Sequence, residues 1–210
     1  RELTAGSDVD LILLYDHDPE AEQSDGPKPL ASSLYYGRLT QRLIAAVSAP
    51  TAEGVLYELD LRLRPSGNKG PVATHIDSFR KYQHSEAWTW EHMALTRARA
   101  IAGDPELCAE VEQEAQTILG LPRDRAKIRQ DAREMRMLVQ EEKPPRNLWD
   151  LKLVPGGLMD LEFIAQVAVL IGETEGAHET ATAEILARLS PSFADAQTRA
   201  ELADAHKLYT

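Results

Sequence analysis

The chain has a single cysteine, Cys108, so no internal disulfide can form and no second thiol is available to build a zinc site. A reducing, cytoplasmic setting is therefore expected. Basic residues are in the minority, with 23 Lys and Arg against 34 Asp and Glu for a net charge of −11. That balance leaves no global field to attract nucleic acid or an anionic membrane, and the macromolecular partner expected is a protein. No stretch approaches the roughly 20 apolar residues that cross a bilayer. No basic segment followed by an apolar one opens the chain, so nothing reads as secreted or inserted. What remains is ordinary for a globular protein: 43% hydrophobic and 27% charged residues in a chain of 210, enough for one large or two small domains. The chain opens on Arg1 instead of Met and reaches Thr210 in a helical-looking run, and so reads as a piece of something longer.

Organisation changes along the chain. The apolar run over residues 8–15 is entered from Gly6-Ser7 and left through an Asp/Pro/Gly-rich stretch at 16–29, which predicts a buried strand. Leu34, Tyr35, Leu39, Leu43, Ile44 and Val47 recur at helical spacing before Pro50, predicting an amphipathic helix over 33–48. From Val55 to Leu63 apolar residues alternate with a charged set that includes Glu58, Asp60, Arg62 and Arg64, the pattern of a half-buried strand. Turn chemistry follows at residues 65–71. Beyond residue 76 strand signals vanish, and helices are predicted near 77–101, 105–119, 124–142, 158–171 and 179–189. The fold class is therefore α+β, with a domain border near residues 103–105.

Asp8 and Asp10 lie two apart on a predicted strand, so they leave the same face and can share one cation. Alone, such a pair is equally a solvated strand edge. Asp60 on the second charged strand alters the balance, because three carboxylates converging on one face repel unless a cation neutralises them. An all-oxygen donor set suits Mg²⁺ or Mn²⁺ over zinc, and such ions clamp nucleotide phosphates during in-line displacement. A surface ladder of Glu58 and Asp60 with Arg62 and Arg64 is the alternative. Arg62, Arg64 and Lys69, with the small residues of 66–70, offer cations and backbone N–H groups suited to phosphate oxygens. Neither the P-loop nor the dinucleotide fingerprint is present. Trp88 and Trp90, two apart on a predicted helix, are expected to put at least one ring into the core or a domain interface. Asp160 and Glu162 follow Gly156-Gly157 at a helix start, where acids offset the helix dipole; a role facing the active site is the other reading.

Gly6-Ser7-Asp8-Val9-Asp10-Leu11 resembles the G-S-D-x-D motif of the DNA polymerase β-like nucleotidyltransferase superfamily, which uses two metal ions on three carboxylates. Residues 57–67 (YELDLRLRPSG), 86–92 (EAWTWEH), 94–99 (ALTRAR) and 156–166 (GGLMDLEFIAQ) resemble, in the same order, glutamine synthetase adenylyltransferase. That family carries one half that attaches AMP and one that removes it by phosphorolysis, and Arg64-Pro65-Ser66-Gly67, the 88–92 segment and the 160–163 segment look like the attaching, C-terminal half.

The resemblance implies a nucleotidyltransferase domain with a small mixed sheet over residues 1–102, truncated at its N-terminus, and an α-helical bundle domain over 103–210, truncated at its C-terminus. It implies transfer of AMP from ATP to a tyrosine hydroxyl of glutamine synthetase, with release of pyrophosphate. Asp8, Asp10 and Asp60 would be the catalytic metal ligands for Mg²⁺, with Mn²⁺ possible, and Asp60 would help deprotonate the hydroxyl. Ser7, Arg62, Arg64 and Lys69 would hold the nucleotide. Glutamine synthetase and a PII-type signal protein are the expected partners. The superfamily's phosphate-binding turn would lie before Arg1, so weak ATP affinity is expected of these residues alone. The AMP-removing half, or a non-catalytic module docking glutamine synthetase or a PII-type protein, are the alternatives.

Overall fold

The structure, a computed structural model, describes residues 8–21, 23–52, 54, 57–176 and 181–210. The chain divides into two compact units. One runs to Ala87 and takes in Gly103–Leu107; the other holds Trp88–Ala102 and Cys108–Thr210.

The first unit contains β1 (Val9–Asp10), β2 (Leu14–Tyr15), α1 (Ser32–Val47), β3 (Leu59–Asp60), a 3-10 turn (Gly67–Lys69), β4 (Thr74–His75) and α2 (Ile76–Ser85). The strands pair in two parallel couples, β1 with β3 and β2 with β4, while antiparallel pairing occurs only as isolated bridges among the described residues. Parallel strands cannot be joined by a tight hairpin, and α1 lies in the long connection between β2 and β3. The strand expected over residues 8–15 is two short pieces, because it changes partner. Val9 and Leu11 N–H groups donate to Glu58 and Asp60 carbonyls at 2.8 Å, whereas the Leu13 carbonyl accepts from Thr74 N–H at 3.0 Å.

The strand expected over 55–63 is confined to Leu59–Asp60, with Val55 and Leu56 outside the described residues. It stops because the Asp60 side chain accepts the Arg62 backbone N–H at 2.8 Å, a local turn that competes with the ladder. Successive turns close behind it, with Gly67 N–H on the Arg64 carbonyl at 2.8 Å and Lys69 N–H on the Ser66 carbonyl at 3.1 Å. Behind β4, Ile76 and Phe79 of α2 are each only 2% exposed and supply the buried apolar surface.

The second unit is helical: α3 (Thr89–Leu95), most of α4 (Pro105–Leu119), α5 (Arg125–Glu142), α6 (Leu158–Leu170), α7 (Thr182–Ala187) and α8 (Ala196–Tyr209). Helix α3 belongs here although it precedes the border expected at residues 103–105. The single helix expected over 77–101 is α2 and α3, separated at 86–88. There the Trp88 backbone N–H donates to the Glu91 carboxylate at 2.8 Å and opens a new helix. Both tryptophans face away from the core, Trp88 at 69% and Trp90 at 36% exposure; Glu91, Met93 and Leu95 are the buried positions of α3.

Helix α6 is apolar nearly all round and so sits at the centre of its unit, packing on α3, α5, α7 and α8. Leu161, Ala165 and Ala168 of α6 meet Ile185, Leu186 and Leu189 in the core. Polar caps fix the boundaries: Asp124 accepts from Ala126 N–H at 2.8 Å at the head of α5, and Asp195 accepts from Thr198 N–H at 2.7 Å at the head of α8. Asp160 accepts from Gly156 N–H at 2.5 Å and pairs with Arg136, whose Nη2 donates to the Leu153 carbonyl at 3.1 Å. Asp160 thus ties the preceding loop to α5 and α6, which fits its expected place at a helix start. A Cβ on Gly157 would lie 2.4 Å from the Leu151 carbonyl oxygen, so that loop requires glycine. No helix among the described residues is long and apolar enough to cross a membrane.

Candidate active site

The register of β1 on β3 pairs Asp10 directly with Asp60. Residues opposite one another in a ladder leave the same face, and Asp8, two residues before Asp10, leaves that face as well. A pocket of about 400 Å³ opens beside Asp60, lined by Asp8, Glu58, Asp60, Arg62, Arg64 and Asn68; Asp10 is not among its lining residues. Asp8 and Asp10 are exposed and Asp60 is half-buried.

Arg62 dominates the electrostatics. Its Nε lies 2.9 and 2.7 Å from the two Asp60 oxygens, and its Nη2 completes a bidentate pair. The Asp60 hydrogen bond first, then the Asp60 charge, with smaller contributions from Asp10 and Asp8, raise the Arg62 guanidinium above its ordinary range. The direct partner of Arg62 is Asp60, with Asp10 and Asp8 acting on it only at longer range. The Arg62 side chain is itself 65% exposed, so the pair is screened by water and can exchange partners.

Arg64 behaves differently. It is only 8% exposed, and its guanidinium donates to the Leu61 carbonyl at 2.6 Å and the Gly70 carbonyl at 3.5 Å. It borders the pocket while bracing the turn. Lys69 is exposed at the end of the 3-10 turn, where Asn68 and not Lys69 lines the pocket. Ser7 lies outside the described residues. Glu58 and Asn68 also line the pocket; the sequence put Glu58 on the charged face of Asp60 and Asn68 in the 66–70 turn offered to phosphate, without naming either as a site residue.

The carboxylates are a hard all-oxygen donor set, which fits Mg²⁺ or Mn²⁺ chemically. Among the described residues, however, no three His, Cys, Asp or Glu side chains gather closely enough to hold a metal ion, and the positive charge facing Asp60 is that of Arg62.

The model of the glutamate-ammonia ligase adenylyltransferase family matches residues 1–114, and the GlnD PII-uridylyltransferase model matches residues 125–208. The chain is 71% identical over 210 residues to the bifunctional glutamine synthetase adenylyltransferase/adenylyl-removing enzyme of Mesorhizobium japonicum, covering 100% of this chain and 21% of that protein. It is 64% identical to the enzyme of the same name from Brucella suis and 57% identical to that of Rhizobium meliloti, covering 100% of this chain and 22% of each. The chain thus spans about a fifth of the length of these curated relatives.

Proposed function

Since the chain belongs to the glutamate-ammonia ligase adenylyltransferase family, we propose that it carries a site transferring AMP from ATP to a tyrosine hydroxyl of glutamine synthetase. Pyrophosphate is released, and the reaction serves cytoplasmic control of nitrogen assimilation. The observation that carries this reading is the register of Asp10 on Asp60 across β1 and β3, with Asp8 on the same face and Arg62 paired with Asp60.

Asp8, Asp10 and Asp60 are the residues that would hold Mg²⁺ or Mn²⁺, and the ion would supply positive charge to neutralise the triphosphate and stabilise the attacking and leaving oxygens. Arg62 exchanges Asp60 for a phosphate oxygen when nucleotide enters, since a triphosphate offers the guanidinium a denser charge than one carboxylate. That exchange frees the Asp60 carboxylate to accept a proton from the incoming hydroxyl. Arg64, fixed on the Leu61 and Gly70 carbonyls, holds the turn that positions Asn68 and keeps a permanent positive charge at the pocket wall. Lys69, exposed at the end of the 3-10 turn, adds a cation for the nucleotide phosphates, and Ser7 is proposed as a nucleotide-binding residue from its motif alone.

Two measurements test this reading. Mn²⁺ titration followed by electron paramagnetic resonance reads the carboxylates without needing turnover: the wild-type chain binds the ion and Asp10→Asn loses it. Transfer of labelled AMP from ATP to glutamine synthetase reads the reaction, and release of label from AMP-modified glutamine synthetase by phosphate reads the reverse. Label release in the absence of transfer assigns the chain to the removing half, and retained Mn²⁺ binding by Asp10→Asn removes Asp10 from the metal site. The match of residues 125–208 to a PII-uridylyltransferase model supports a PII-type signal protein as a second partner. A calorimetric titration giving no heat with that protein ends this part of the proposal.

A further inference from the structure

Asp60 is the least hydrated of the three aspartates: its side chain is 13% exposed, while Asp8 and Asp10 are exposed. It stands directly opposite Asp10 in the ladder, and Glu58, two residues earlier, adds another carboxylate at the pocket. Without a cation, Asp60 would suffer both desolvation and repulsion from its neighbours.

Arg62 supplies that cation from two residues away. Its backbone N–H donates to Asp60 Oδ1 at 2.8 Å, its Nε lies 2.9 and 2.7 Å from Oδ1 and Oδ2, and its Nη2 pairs with Oδ2. A carboxylate offers about four lone-pair positions, and these contacts engage both oxygens. A divalent ion needs the same lone pairs, so the guanidinium and the ion are alternatives at Asp60. The coordinates agree with that exclusion: among the described residues no three His, Cys, Asp or Glu side chains gather closely enough to hold a metal ion.

Two properties of Arg62 decide how strong the exclusion is. A competitor carried on the same turn meets Asp60 at high effective concentration, without diffusing to it. Its side chain is nevertheless 65% exposed, so water screens the pair and the hold is shallow. A triphosphate, with its denser charge, is enough to draw the guanidinium off.

We infer that Arg62 is a tethered counter-ion that occupies Asp60 in place of the divalent ion, so that the three aspartates take up the ion tightly only after nucleotide phosphates have drawn the guanidinium away. This rests on the assignment of Asp8, Asp10 and Asp60 to the metal and adds to it an order of binding, with nucleotide ahead of the free ion.

Mn²⁺ titration of the 210-residue chain without nucleotide, followed by electron paramagnetic resonance, reads the exclusion directly. Arg62→Ala binds Mn²⁺ about two- to fivefold more tightly than wild type. Arg62→Lys keeps the charge but loses the fork, and tightens binding by a smaller factor. Lys69→Ala, which removes an exposed cation from the neighbouring turn, has less effect than Arg62→Ala. ATP binding measured in EDTA by equilibrium dialysis moves the other way and weakens in Arg62→Ala. Mn²⁺ affinity in Arg62→Ala that is unchanged or lower, with the wild-type circular dichroism spectrum kept, overturns the inference. Equal tightening by Lys69→Ala also overturns it, because the effect would then belong to the general field, as does ATP binding in EDTA that Arg62→Ala leaves intact. Should Arg62→Ala not fold, Arg62→Lys carries the test, and an unchanged Mn²⁺ affinity there is decisive against it. Loss of Mn²⁺ in Asp10→Asn without tightening in Arg62→Ala removes the tethered counter-ion alone, whereas equal Mn²⁺ binding by wild type and Asp10→Asn removes the metal assignment beneath it.

Discussion

Helices α1 and α6 are both rich in apolar residues but bury them to opposite degrees. Along α6, Leu161, Ala165, Ala168 and Leu170 are at most 3% exposed. Along α1, Leu34, Tyr35, Leu39, Leu43 and Val47 form a stripe at helical spacing, yet each is between 41% and 50% exposed, and Thr40 is the buried residue. Apolar periodicity specifies a helix and its orientation, but burial depends on what the rest of the unit provides. The helical unit closes on its own core, whereas strands of two residues offer α1 little sheet to lie on. The larger buried core thus lies in one unit and the proposed chemistry in the other, and substitutions can separate the two.

The largest effect is expected on chemistry. Asp10→Asn keeps the side-chain shape, removes a charge from the face shared with Asp8 and Asp60, and lowers AMP transfer by at least about a hundredfold. The melting temperature is unchanged or slightly raised, because one source of carboxylate repulsion is gone. If this variant melted well below the wild type, the carboxylate face would be structural and the division between the units would fail.

Next comes the core of the helical unit. Leu186 is fully buried against α6 residues, and Leu186→Ala should cost roughly 2–5 kcal/mol in urea unfolding. In the wild type, Mn²⁺ binding by the α/β unit is expected to be lost at urea concentrations that leave the helical unit folded. Coincident loss of both signals would make the two units one cooperative block.

A smaller effect is tied to pH. Glu173 is 6% exposed and accepts from the Ser190 and Ser192 hydroxyls, the latter at 2.7 Å, and from Arg125 at 2.6 Å. The Ser190 hydrogen bond first, then that of Ser192, hold its carboxyl below the ordinary 4.5, with burial opposing and Arg125 assisting. A depressed native value means that this stabilisation is present above 4.5 and is lost as the pH falls through the lower native value. Glu173→Gln should therefore be less stable than wild type at pH 7, and its stability should fall less steeply below pH 4.5. Parallel acid-unfolding curves would show that Glu173 does not carry the dependence.

Legibility followed the same division. The bounds of α4, α5 and α6 were readable within a residue, because Pro105, Asp124 and Gly157 are start signals written locally in the chain. The strands were not. Alternation over 55–63 announces sidedness, while the ladder ends where the Asp60 carboxylate captures the Arg62 N–H, a competition that periodicity does not register. Asp8, Asp10 and Asp60 could be assigned to one face from spacing and period. The inward turn of Arg64 onto two carbonyls could not, since an arginine on a charged face reads as solvent-exposed.

The smallest expected effect probes α1 directly. Leu39 is 50% exposed at the centre of the apolar stripe, so Leu39→Ala gives up little buried surface, and alanine is at least as good a helix former. Its cost in urea unfolding should stay within about 0.5 kcal/mol, several-fold less than Leu186→Ala, although both delete the same atoms. The contrast isolates environment from side-chain chemistry, because the transfer free energy of the removed methyl groups is common to the two sites and only their burial differs. A loss at Leu39 comparable to that at Leu186 would mean that the stripe on α1 is covered in solution, and the helix would then have to be counted with the core.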